Sequence, residues 1–279
     1  MSRFLIDAGC PGLLAFQGPD AVRFLNGQLT QDVRLLQDGK HCLPACVTDA
    51  KGRLQFRVWL WKHDDGAFMV QGEHELLEAL EARLTRYLIA DDVEVSHADS
   101  WRLLHFTSNP GPAPDGVLTR QANRYTTQGE DWWVPAALAV DSPDGFEPLE
   151  GKALETWRIE RGVPVWGKEL VEGLFPAEAG LDASDVSFHK GCYIGQEVIS
   201  RIEHTGKVNR RLVRLALPPG CTAHAGPLLD ASGKESGQLT SIAPQDVGDF
   251  RPALGYLKRG SMEWFIDGIA ATPRDTPPA

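Results

Sequence analysis

The hydrophobic pattern changes at about Gly206, and this change constrains the fold more than any other feature of the 279-residue chain. Beyond it, short stretches alternate apolar with polar residues, as half-buried strands do. One such strand is predicted over residues 210–217, where Val213, Leu215 and Leu217 share a face. Turn sequences separate the stretches at Pro218-Pro219-Gly220, Ser232-Gly233 and Arg259-Gly260. We therefore predict a small C-terminal β-barrel over residues 206–279.

The chain before this point predicts an α+β fold. Two apolar segments flank His63-Asp64-Asp65-Gly66, which indicates a hairpin. Residues 75–88 form an amphipathic helix pattern, since five leucines fall on one side. Further strands are predicted at 54–61, 67–71, 93–95 and 101–106, and further helices at 20–29 and 149–161. We expect residues 1–205 to form two interleaved α+β subdomains, the middle one at about 45–140.

Net charge argues against a nucleic-acid partner. The formal charge of the chain is −10, whereas affinity for nucleic acid comes largely from neutralising phosphates. A cationic stretch, Lys207 to Arg214, coincides with the predicted strand at 210–217. We interpret it as the solvated face of that strand, so no direct contact with nucleic acid is predicted.

Cysteine usage and the absence of long apolar runs predict a cytoplasmic protein without a membrane partner. No apolar run approaches the roughly 20 residues of a membrane-spanning helix, and residues 1–16 lack the pattern of a signal peptide. The five cysteines are odd in number and scattered, which argues against a disulfide framework. Cys42 and Cys46 lack a second ligand pair, so we expect half-buried thiols and no metal site.

The run Lys190-Gly191-Cys192-Tyr193-Ile194-Gly195-Gln196-Glu197 has the composition of a functional site. Its glycines permit close approach of a ligand to the backbone. A cation beside a thiol stabilises the thiolate, which makes Lys190 and Cys192 candidate reactive residues. Three other interpretations stay open: an inert buried Cys192, a solvated Lys190, and local capping or pairing by Gln196 and Glu197.

Glu160 is a second candidate. On the predicted helix 149–161 it lies near the apolar flank, where a carboxylate needs partners. One explanation is an ion pair with Arg158 or Arg201. The other is a carboxylate that faces a heterocycle with paired N–H donors, such as a pterin or guanine. Geometry alone does not separate them.

These motifs, together with two others, resemble those of the YgfZ-type folate-binding proteins. These proteins are relatives of the tetrahydrofolate-binding T-protein, the aminomethyltransferase of the glycine cleavage system. The resemblance covers nearly the whole chain and keeps the order of the motifs. It rests on the segments 24–33 (FLNGQLTQDV), 158–164 (RIERGVP), 174–181 (LFPAEAGL) and 190–197 (KGCYIGQE).

The resemblance implies a ring of three subdomains around a central folate cavity. Glu160 would hold the pterin, and Cys192 would be the characteristic thiol near the cavity. Gln28, Thr30 and Asp32 would line the opposite wall, unless they form only a helix-to-loop transition. Arg201 would meet the folate tail, or else pair with Glu197 or Glu203. The implied cofactor is tetrahydrofolate or a one-carbon derivative.

The implied function is assembly or repair of iron–sulfur clusters in selected enzymes, including tRNA-modifying ones, with client or scaffold proteins as partners. One departure argues against a classical aminomethyltransferase. Where that family carries an aspartate, this chain has Lys51-Gly52-Arg53-Leu54-Gln55-Phe56-Arg57. Loss of a placed acid costs on the order of 10²–10⁴ in rate.

Two alternatives remain open beside the cluster factor. The first is a folate-dependent one-carbon transferase with Cys192 as nucleophile, for which His189 or His204 would have to supply the base. The second is an interaction module with a vestigial folate pocket.

Overall fold

The computed structural model describes residues 3–98 and 101–275, which form two compact units. Unit 1 comprises Met1–Leu149 and Ser184–Gln196, and unit 2 comprises Glu150–Ala183 and Glu197–Ala279. Unit 2 thus takes residues from both sides of the boundary predicted at 205/206. That boundary stays a prediction.

Unit 1 is built on one ten-stranded sheet with two α-helices. In chain order its elements are β1 (Phe4–Asp7), β2 (Gly12–Gln17), α1 (Ala21–Gln28), β3 (His41–Thr48), β4 (Leu54–Lys62), β5 (Phe68–Gly72), α2 (Leu77–Thr85), β6 (Glu94–His97), β7 (Trp101–Phe106), β8 (Leu118–Ala122), β9 (Gly129–Pro135) and β10 (Glu147–Pro148). The strand order is β10-β1-β7-β9-β8-β3-β4-β5-β2-β6. Two 3₁₀ turns, Val33–Leu36 and His74–Leu76, follow α1 and precede α2.

Both faces of this sheet are covered, which explains its apolar strands. Alternate residues of β2 point to opposite faces, so Leu14 packs with α1 and α2 while Leu13 packs with Trp61 and Trp133. These two tryptophan rings stack at a centroid distance of 4.8 Å. The sheet is therefore a rigid base for the loops at its edges.

Unit 2 contains α3 (Gly151–Glu160), most of α4 (Gln196–Thr205) and a seven-stranded, nearly closed barrel-like sheet. Its strands are β11 (Arg210–Leu217), β12 (Gly226–Leu229), β13 (Glu235–Ile242), β14 (Arg251–Lys258), β15 (Phe265–Ile266), β16 (Ile269–Ala270) and β17 (Thr272–Pro273), in the order β16-β15-β12-β13-β14-β11-β17. Two short 3₁₀ turns, Pro176–Ala179 and Leu181–Ala183, lie between α3 and α4. The predicted α+β class and C-terminal barrel are confirmed.

Local patterns located three helices and five strands within a few residues. The strand over 210–217 is observed with Val213, Leu215 and Leu217 buried, as the alternation requires. The helix expected over 75–88 is shorter, since its first turn is 3₁₀ and α2 ends at Thr85. Six strands of unit 1 were not predicted: β1, β2, β3, β8, β9 and β10.

The expectation of half-buried Cys42 and Cys46 is wrong in degree. Both are at most 1% exposed, because β3 lies inside the sheet between β8 and β4. Burial raises the pKa of the Cys42 thiol.

In the part of the chain that the structure describes, no group of three or more His, Cys, Asp or Glu side chains could hold a metal ion. No helix within residues 3–98 and 101–275 is long and apolar enough to cross a bilayer.

Candidate functional site

The Lys190 side chain anchors the cysteine-bearing loop, residues 190–196, to the end of α1. Its ammonium group donates to the backbone carbonyls of Asn26, Leu29 and Gln31 at 2.8, 2.7 and 2.7 Å. Only 7% of the residue is exposed, so Lys190 is buried and not a solvated surface lysine. It satisfies carbonyls that the end of a helix leaves without partners.

Burial changes the acid–base behaviour of this anchor. It lowers the pKa of Lys190 to about 7, against the opposing effect of the Asp32 carboxylate. Asp32 itself accepts hydrogen bonds from Arg34 at 2.8 and 2.7 Å, one to each carboxylate oxygen. These bonds lower the pKa of Asp32, although burial opposes them. Both oxygens of this predicted folate-binding residue already have a partner.

Thr30 joins the same loop region to the sheet. Its hydroxyl donates to the Asp185 carbonyl at 2.6 Å and accepts from the Cys46 N–H at 2.8 Å. The Asp185 carboxylate in turn pairs with Arg57 at 2.7 Å. Thr30 is fully buried. Its hydroxyl therefore positions the chain before Lys190.

The far end of the cysteine loop is fixed by contacts that only glycine permits. The hydroxyl of Thr48 donates to the Ile194 carbonyl at 2.7 Å, and the Ile194 N–H donates to the Gly27 carbonyl at 3.1 Å. Gly195 has a φ of +88°, and a Cβ there would lie 2.5 Å from the Asp49 carbonyl oxygen. The loop is thus held at both ends.

Cys192 lies between these two anchors and is exposed. Within unit 1 its thiol makes no hydrogen bond, and the neighbouring His189 is exposed as well. Tyr193 turns inward instead, and burial raises the pKa of its phenol to about 12. The fold therefore presents Cys192 outward on a fixed backbone. An inert buried thiol is not what is observed.

Glu160 ends α3 in unit 2 and is half-buried. Among residues 150–183 and 197–275, no group donates a hydrogen bond to its carboxylate or forms an ion pair with it. The Arg214 guanidinium donates to the Glu160 backbone carbonyl at 3.5 Å, and the two side chains attract each other electrostatically. The explanation by an ion pair with Arg158 is wrong, because Arg158 contacts Glu155 at 2.7 Å and Glu169 at 3.1 Å. A half-buried carboxylate that accepts no hydrogen bond keeps its capacity for an external donor.

Arg201 is exposed on α4 and lines a cavity of 250 Å³ with Glu178, Lys207 and several apolar side chains of unit 2. The described residues of unit 2 contain no ion pair between Arg201 and Glu197 or Glu203. Arg201 and Lys207 give this cavity two cationic side chains, beside the Glu178 carboxylate that pairs with Arg210 at 3.1 Å.

Arg83, which the sequence did not single out, and Gln55, from the run 51–57, lie beside Gln28. Arg83 on α2 donates to the side-chain oxygens of Gln55 and Gln28 at 2.6 and 3.0 Å, and to the Thr48 carbonyl at 2.6 Å. Gln55 lies in the run where aminomethyltransferases carry an aspartate. The Arg83 guanidinium and the Gln28 and Gln55 amides thus occupy the region in which the resemblance to aminomethyltransferases predicts an acid.

Several proteins with known names are similar to this chain in sequence. No family model matches the chain. A mitochondrial iron–sulfur cluster assembly factor IBA57 homologue of Phaeosphaeria nodorum is 26% identical over 77% of this chain and 56% of its own length. The tRNA-modifying protein YgfZ of Pectobacterium carotovorum is 28% identical over 82% of this chain and 74% of its own. Mouse mitochondrial IBA57 is 28% identical, over 88% and 73%.

A solved structure shows the fold. The glycine cleavage system aminomethyltransferase T of Bartonella henselae matches 99% of this chain and 86% of its own, with a TM-score of 0.79 and 21% identity. The predicted T-protein-like fold is confirmed. The chain is a homologue of the proteins named YgfZ and IBA57, built on the aminomethyltransferase T fold.

Proposed function

We propose that this chain is a tetrahydrofolate-binding factor for the assembly or repair of iron–sulfur clusters in selected enzymes, including tRNA-modifying ones. The names of its relatives support the cluster and tRNA-modification roles. The observation that carries the proposal is the rigidly anchored loop with the exposed Cys192. Such a loop offers a thiol to a partner at a fixed position.

A partner protein is part of the proposal because of ligand number. Iron–sulfur clusters are usually held by four thiolates. Cys192 is exposed, whereas Cys42 and Cys46 are buried in the sheet of the same unit. Cys192 therefore contacts a cluster only together with ligands of a client or scaffold protein. An effect on tRNA modification is then indirect and arises through the client enzymes that carry the clusters.

Folate binding is proposed at Glu160. A pterin presents adjacent N–H donors, which suit a half-buried carboxylate that accepts no hydrogen bond within its unit. Gln28 and Arg201 remain proposed contacts, since the Gln28 amide nitrogen has no described partner and Arg201 makes no described ion pair. Thr30 and Asp32 support the site indirectly, through the loop contacts described above.

Replacing Glu160 by alanine is expected to weaken tetrahydrofolate binding by about 1.5–3 kcal/mol, or about 10- to 150-fold, because a charged hydrogen-bond acceptor is lost. Anaerobic calorimetric titration of the full chain measures this. Glu172→Ala is the matched control, since Glu172 is an exposed carboxylate of the same unit. A change below about threefold for Glu160→Ala, or an equal loss in the control, removes Glu160 from the folate site.

Replacing Cys192 by serine is expected to leave tetrahydrofolate affinity unchanged and to abolish support of cluster enzymes. The readout is the activity of a cluster-containing tRNA-modifying enzyme in cells that depend on this chain. Cys10→Ser is the control, because Cys10 is also exposed in unit 1. Cys192-dependent consumption of a one-carbon folate by the purified protein would instead establish the transferase alternative. No folate affinity in the wild type would leave an interaction module.

A further inference from the structure

Arg83 carries a positive charge that no neighbouring acid neutralises. Within residues 3–98 and 101–275 it forms no ion pair, and its three hydrogen bonds all go to neutral oxygens. A carboxylate with an electrostatic effect on Arg83 is Asp49, whose Oδ1 already accepts the N–H groups of Lys51 and Arg53. Arg86 adds a second positive charge. Half-buried cations without a counter-charge are unusual.

Arg83 also fixes the orientation of two amides. A guanidinium only donates, so Gln28 and Gln55 must both turn their oxygens towards it. Their NH₂ groups consequently point away from Arg83, and neither has a partner among the described residues. Neither nitrogen is among the fully enclosed side-chain atoms that lack a partner, so each keeps some contact with solvent.

The cluster therefore presents several free N–H donors. Two of the five N–H bonds of Arg83 are unused, beside the NH₂ groups of Gln28 and Gln55. One face of the guanidinium is covered by Tyr87, whose ring centroid lies 5.1 Å away. What remains on Arg83 is two N–H bonds in the guanidinium plane and a single positive charge.

We propose that Arg83, Gln28 and Gln55 form a binding site for the carboxylate group of a small molecule. A carboxylate accepts from the free guanidinium and amide N–H donors and neutralises the one charge, whereas a phosphate dianion would leave a negative charge unpaired. The inference goes beyond the proposed function, which assigns only Gln28 of these three residues to a ligand. It lies next to the cysteine loop, because Thr48 accepts from Arg83 and donates to Ile194.

Side-chain amide NMR of the ¹⁵N-labelled full chain tests this site with sodium acetate as the probe. Acetate is expected to shift the NH₂ signals of Gln28 and Gln55 saturably, whereas sodium chloride at equal ionic strength leaves them in place. Arg83→Met is expected to weaken acetate binding by about tenfold or more. Arg86→Met is the matched control, since Arg86 is an exposed arginine on the next turn.

A second variant keeps the test decisive if Arg83→Met fails to fold. Gln55→Glu places a carboxylate beside the Arg83 Nε–H, where Gln55 now accepts at 2.6 Å. This internal anion is expected to raise the melting temperature and to abolish the acetate response at Gln28. Acetate shifts no larger than those of chloride, or an undiminished response in Gln55→Glu, would overturn the proposal and leave Arg83 a purely structural link.

Discussion

Arg158→Met is expected to lower the free energy of unfolding by about 3–5 kcal/mol, because removing one partner of a buried ion pair leaves the other charge uncompensated. The charge left behind is Glu169, which is fully buried and 3.1 Å from Arg158. The same guanidinium donates to the Val163 carbonyl just beyond α3 and to the Ser241 hydroxyl on β13. Its loss therefore loosens the end of the helix that carries Glu160.

Urea unfolding followed by circular dichroism measures this change at neutral pH. Lys168→Met is the control, since Lys168 pairs with the same Glu155 at 2.8 Å but has a half-exposed side chain. Exposed pairs contribute about 0–1 kcal/mol. Equal losses in the two variants would mean that burial does not determine how much this ion-pair network contributes to the free energy of unfolding. A loss of less than about 1 kcal/mol in Arg158→Met would contradict the prediction outright.

Sequence patterns predicted the helices and strands in which the spacing of apolar residues matches one buried face. Helix α2 and strand β11 each show a period that matches one buried face, and the structure has both. Strand β3 escaped this reasoning because it carries Pro44 and is buried on both faces, so it shows no alternation. The fold family itself was accessible through ordered motifs, which local periodicity cannot supply.

The candidate site was only partly predictable for a different reason. Lys190 was singled out as a cation beside Cys192, and that role stays a prediction. Its observed partners are backbone carbonyls 159 to 164 positions away, and a carbonyl has no signature in the sequence. The sequence did not single out Arg83, because an arginine on the polar side of an amphipathic helix is usually solvated. Glu160 stood out through its place on the helix, whereas the engagement of Arg158 with Glu169 needed the tertiary structure.

Lys190→Met is expected to lower the free energy of unfolding by about 3–5 kcal/mol, since each buried acceptor left without a donor costs about 1–3 kcal/mol. Three carbonyl oxygens lose their donor in this variant. Urea unfolding gives the size of the loss, and hydrogen exchange at the Ile194 amide reports whether the cysteine loop detaches. Lys51→Met, an exposed lysine of the same unit, should change neither.

The pH dependence of the free energy of unfolding, compared between wild type and Lys190→Met, distinguishes a buried lysine from a solvated one. The pKa of Lys190 is about 7 in the folded protein, below its ordinary value of 10.5. Between these values the unfolded chain binds the proton more tightly, so this lysine's contribution to stability falls as pH drops from 10.5 to about 7. The stability difference between wild type and Lys190→Met should therefore increase from pH 7 to pH 10. A difference that stays constant over this range would mean that Lys190 keeps an ordinary pKa, and that its ammonium is not desolvated at the end of α1.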